Sequence, residues 1–218
     1  MLHDARNFLL SILAMEFVPL VDLGFALSVS ASDASKNFAK MKSVINSIID
    51  QYSISRLKYG VVVYGDNGKT VIDFQRVFPK EEDLKQYLSS VTRATGGSSL
   101  DKGLAQGEQL FASGGVRPNA RKVLVVFTDK KSTGNEQIAQ AEAKELRDQG
   151  IKVIAIALGS ESDVAELKDV ATDGRHVIRA KKTDDSDKLA VEVMELAFKG
   201  TMLEIGRASC RERVLRLV

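Results

Sequence analysis

The sequence predicts an α/β domain: a doubly wound, three-layer sandwich whose central sheet is parallel except for one antiparallel edge strand. Three observations lead there. Apolar, β-rich runs such as VLVVFT and VIAIAL lack polar alternation, which is how strands covered on both faces read. Stripes of apolar residues at three- and four-residue spacing lie between those runs, as helices of a wound sheet require. The connection GDNGKT after Tyr64 is too short for a crossover, and its Asn67-Gly68 pair is a hairpin-turn signal.

In chain order, strands are expected at Leu20–Leu27, Leu57–Tyr64, Val71–Arg76, Lys122–Thr128, Ile151–Leu158 and His176–Arg179. The third follows the hairpin and is the antiparallel edge. Phe38, Met41, Val44, Ile45, Ile48 and Ile49 form the stripe of a first helix, and Leu100, Leu104 and Phe111 that of a second. Ala139, Ala141, Ala143 and Leu146 belong to a third, which Gly150 closes at its C-terminal position. Val164, Leu167 and Val170 suggest a short fourth, and Leu189, Val193 and Leu196 a terminal fifth.

The totals are those of a globular chain: 218 residues, 44% hydrophobic and 28% charged, with a net charge of +2. Such a charge argues for neither nucleic acid nor an anionic membrane as partner. The single cysteine, Cys210, permits no internal disulfide and no cysteine-based metal site. Residues 1–17 form a leader of undecided type: the apolar stretch Phe8–Met15 is too short to span a bilayer, and no cleavage signal follows it. The segment EIGRASCRERV, Glu204–Val214, reads like the translation of a sequencing adapter. Residues 201–218 are therefore expected to be a non-native tail, leaving residues 18–200 as the domain.

No catalytic constellation emerges. His3 lies in the leader and His176 stands alone near a strand, so a nucleophile has no base. Only two residues separate Gly65 from Gly68, where a phosphate loop needs four, and a strand pattern follows them. An enzyme or nucleotide binder is disfavoured. One region does look built. The first strand ends in Ser28-Val29-Ser30-Ala31-Ser32, a later strand ends at Asp129, and the loop TGGSSLDKG brings Ser98 and Ser99 to a helix start. In a doubly wound sheet these carboxyl ends converge, and hydroxyl and carboxylate oxygens gathered there suit a hard cation such as Mg²⁺.

From about Pro19 to Leu196 the chain resembles a von Willebrand factor type A domain, a Rossmann-like fold. The resemblance is carried by VDLGFALSVSAS, RLKYGVVVYG, TGGSSLDKGL, RPNARKVLVVFTD, GIKVIAIALG and DVAELKDVA. It implies a metal-ion-dependent adhesion site (MIDAS) built from D-x-S-x-S, a Thr in the Gly-rich loop and a late Asp. Ser30 and Ser32 match the two serines, Ser98 stands for the Thr, and Asp129 matches the late Asp. Ser28 replaces the first Asp, and Lys130 follows Asp129 where Gly is usual. Both changes oppose a divalent cation, so the site is expected to be degenerate, with Mg²⁺ weakly held or absent. Asp33 and Asp101 lie near in sequence as substitute carboxylates, although Asp33 reads better as an ordinary helix N-terminal charge. Ser28, Ser99, Lys130 and Lys131 are expected to form a ligand-binding rim, with Lys102 and Arg93 beside it. GVRPNARKVLVVFTD looks most like the matrilin and collagen-associated branch. That implies a non-enzymatic, extracellular adhesion module with a matrix protein such as collagen as partner, within a larger multidomain chain. The alternative is a cytoplasmic A-type domain that serves as an assembly subunit of a complex.

Overall fold

The structure is a computed structural model and describes residues 19–29, 34–92, 96–158, 162–181 and 184–199. Among the described residues six strands form one sheet: β1 (Val21–Ser28), β2 (Leu57–Tyr64), β3 (Gly68–Ile72), β4 (Arg121–Thr128), β5 (Ile151–Leu158) and β6 (Val177–Ala180). Their spatial order is β3-β2-β1-β4-β5-β6, and only the β2–β3 pair is antiparallel. All eight residues of β1 are buried, which explains its unbroken apolar character.

The antiparallel edge comes earlier than Val71–Arg76. Pairing starts at Gly68, directly from the turn, and stops at Ile72. Beyond it Asp73 Oδ1 accepts from the backbone N–H groups of Gln75 and Arg76, so the chain turns there instead of extending. The last strand is likewise shifted, because Gly174–His176 form a 3₁₀ turn capped by Asp173.

Six helices are described: α1 (Ala34–Gln51), α2 (Glu81–Ser90), α3 (Leu100–Ala112), α4 (Glu136–Asp148), α5 (Val164–Val170) and α6 (Ser186–Phe198). The stripe Phe38, Met41, Val44, Ile45, Ile48 and Ile49 faces the core, as its spacing requires. Residues of α1, α2 and α6 share one apolar cluster with one face of the sheet, and residues of α3, α4 and α5 share another with the opposite face. Helix α2 was absent from the expected elements. It buries only Leu84 and Leu88, a stripe too narrow to stand out, and its acidic first turn (Glu81, Glu82, Asp83) suits the helix dipole. Gly150 ends the α4 region with φ 74°, a left-handed conformation that glycine adopts without a Cβ clash.

At the amino ends of the strands, fully buried Asp22 is paired with Arg117. Arg117 Nε donates to Asp22 Oδ1 at 2.8 Å, and its backbone N–H donates to Oδ2 at 2.6 Å. The loop before β4 is thereby fixed to β1. Among the described residues no helix is long and apolar enough to cross a membrane.

Candidate functional site

The strand order reverses direction around β1 and β4, so the carboxyl ends of these two strands open the crevice where doubly wound sheets place ligands. Ser28 is the last residue of β1, and Asp129 directly follows β4. Ser98 comes from the loop ahead of α3. The three side chains meet. Ser28 Oγ lies 3.1 Å from Ser98 Oγ and donates to Asp129 Oδ1 at 3.3 Å. Asn37 on α1 donates from Nδ2 to Asp129 Oδ2 at 3.2 Å. All four residues are buried, Ser28 and Ser98 at 2% exposure and Asp129 at 5%.

Ser30, Ser32 and Asp33 lie outside the described residues, as does Arg93. Asp101 is buried but points elsewhere, with Oδ1 against Gly134, where a Cβ would come within 1.8 Å. Lys102 Nζ stands 3.6 Å from its Oδ2. Asp101 makes no hydrogen bond to Ser28, Ser98 or Asp129 among the described residues. Ser99 is half-buried at the start of α3, its Oγ 3.4 Å from Thr133 Oγ1. Lys130 is half-buried, and its carbonyl accepts from Thr128 Oγ1 at 2.8 Å. The exposed Lys131 ammonium pairs with Asp163 at 3.3 Å.

The loops are stitched by residues that the spacing of the sequence did not single out. Asp66 Oδ1 accepts from Gly97 N at 2.8 Å and ties the hairpin to the Gly-rich loop. Thr133 accepts from Ser98 N at 3.1 Å and returns a bond from its own N–H to Ser98 O. Ser132 Oγ accepts from Leu100 N at 3.0 Å, while Glu166 accepts from Ser132 N. Burial pushes the Glu166 carboxyl upward, and the bond from Ser132 partly offsets that. The Asp163 carboxyl is held down by the Glu166 backbone N–H and by Lys131. Below the site Tyr64 is fully buried and donates to Phe127 O at 2.8 Å. Burial raises its phenol far above the usual range. Asn37 and Asp66 are short polar residues in a helix and a turn, and nothing in their immediate sequence distinguishes them from surface groups.

Hydroxyl and carboxylate oxygens are the donors a hard cation prefers, and three of them are adjacent here. The charge is less suitable. Asp129 is the one carboxylate in the described group, and both its oxygens already accept hydrogen bonds. A carboxylate 4 Å from a dication at an effective dielectric of 20 contributes on the order of 4 kcal/mol per cation charge. Serine at position 28 forfeits that term.

The profile of the von Willebrand factor type A domain matches residues 22–192. Matrilin-1 of Bos taurus is 29% identical over 162 residues, covering 70% of this chain and 28% of the relative. Matrilin-1 of Mus musculus is 31% identical over 162 residues, with 70% and 30% covered. The collagen alpha-4(VI) chain of Mus musculus is 27% identical over 176 residues, covering 79% and 7%. The chain thus spans less than a third of the length of these relatives. Among solved structures, proximal thread matrix protein 1 from the mussel byssus superposes with a TM-score of 0.74 at 27% identity, covering 82% of this chain and 48% of that one. A form of that protein with a zinc-occupied MIDAS motif gives 0.73 at 26% identity, covering 82% and 48%. With its sheet order, its helix layers and its matched residues, this chain belongs to the von Willebrand factor type A domain family.

Proposed function

We propose that the chain is a non-enzymatic interaction module of an extracellular matrix protein. It binds a protein partner, a collagen or another matrix component, through the loops at the carboxyl ends of β1 and β4, with weak or lost Mg²⁺ dependence. The observation that carries this reading is the meeting of Ser28, Ser98 and Asp129 at the switch point of a chain related to matrilin-1 and collagen VI. The buried hydrogen bonds hold the loops in shape, and Ser99, Lys130 and Lys131 offer polar and cationic groups above them. The weak metal dependence follows from the charge count: the dication meets one described carboxylate whose oxygens are already engaged.

Surface plasmon resonance of the chain over immobilised collagens and other matrix proteins tests this, with Mg²⁺ and then with chelator. Binding should persist in chelator and weaken when Ser99→Arg and Lys131→Glu are introduced. Loss of binding in chelator would contradict the metal-independent part. Binding to no matrix protein would contradict the function itself.

A further inference from the structure

At the end of the sheet opposite the candidate site, an open cleft of about 330 Å³ is lined by Arg121, Lys122, Lys152 and Lys199, together with Gln149. No described carboxylate lines it or lies within ion-pair distance of these four cations. Part of this charge has a structural use. Lys152 Nζ donates to Leu196 O at 2.9 Å and to Lys199 O at 3.0 Å, and Arg121 reaches Phe198 O at 3.5 Å. Both thereby cap the carbonyl end of α6.

The capping does not consume the charge. A helix C-terminus is equivalent to roughly −0.5 of an elementary charge, against four full positive charges. Asp173 acts on Lys152 from beyond contact distance, but its oxygens are taken by Arg175 and His176. The cluster works against itself. Burial, then Arg121 and Lys199, depress the Lys152 ammonium below its ordinary value. An anion seated among these groups would relieve that repulsion. Lys122 and Lys199 carry no described side-chain hydrogen bond or ion pair, so their ammonium groups are available to it.

We infer that this cleft binds a sulfated polysaccharide, whose ester groups remain ionised and present oxygens to a guanidinium and several ammonium groups at once. The choice of polysaccharide among polyanions rests on the matrix setting proposed above. An eight-residue strand spans roughly 26 Å, so a protein partner at one end and a glycan at the other can be held together.

Titration calorimetry of the full chain with a heparin octasaccharide tests this, beside its desulfated form, inorganic sulfate and duplex DNA of equal charge. The octasaccharide should bind, more weakly as salt rises, and the desulfated form should not. Lys122→Gln with Lys199→Gln leaves the α6 cap intact. It should weaken binding about tenfold at an unchanged melting temperature. Undiminished binding by that variant would overturn the cleft as the site. Equal affinity for DNA or for inorganic sulfate would overturn the polysaccharide as its ligand. Octasaccharide binding by a chain that binds no matrix protein would remove the earlier reading and leave this one standing.

Discussion

Asp129 sits 5% exposed at the end of β4, and its carboxylate receives hydrogen bonds from Ser28 and from Asn37. A buried charge is tolerated only when such donors replace its water. Asn37→Ala removes one donor and should cost about 1.5–3 kcal/mol, the range for bonds to charged groups, read as a lower urea midpoint. A change within ±0.5 kcal/mol would mean that the bond carries no weight. Asp173 offers a pH test far from the site. The side-chain bond from Arg175, then that from His176, holds its carboxyl well below the usual range. A depressed carboxyl contributes stability that is complete above the unfolded value and disappears as pH falls through the folded one. Asp173→Asn keeps an acceptor for the Arg175 N–H but loses the charge. Its melting temperature should lie below that of the parent above pH 5, and the gap should close in strong acid. A gap constant with pH would assign the loss to the turn alone.

Helix α3 approaches the sheet closely because its inner face carries glycines. A Cβ on Gly103 would meet the Tyr64 ring at 2.7 Å, and one on Gly107 would meet Leu124 at 2.5 Å. Tyr64 cannot give way freely, since its hydroxyl is bonded to Phe127 O beside the site. Gly103→Ala gains about 1 kcal/mol in helix propensity and loses about 1–3 kcal/mol by overpacking, so the net effect should be destabilising. A rise in melting temperature would show that the helix can move away. These elements were largely legible in the sequence, because β1, β4 and β5 are buried runs and α1 carries a broad stripe. Helix α2 escaped notice because two leucines make a weak period. The edge strand was misplaced because Gly68 and Lys69 read as turn, whereas they already pair with Tyr64 and Val63.

For the molecule as a whole, the convergence of three loops follows from winding order, and Ser28, Ser98 and Asp129 could be named from two strand ends and the Gly-rich loop, while Ser30 and Ser32 lie outside the described residues. What the chain order could not convey is which polar groups turn inward. Asp101, close in sequence, lies against Gly134, while Asn37, just ahead of the apolar stripe of α1, reaches Asp129. Side-chain direction at a helix start depends on packing between elements, which periodicity does not encode. In the reading proposed above, the fold accommodates a site held by its own hydrogen bonds in place of an ion. Calorimetric titration of Mg²⁺ into the chain and into its Ser28→Asp, Lys130→Gly variant tests that claim most directly. The parent should give no saturable heat in the low-millimolar range and the variant should saturate there; saturation of the parent at the variant's affinity would contradict the account.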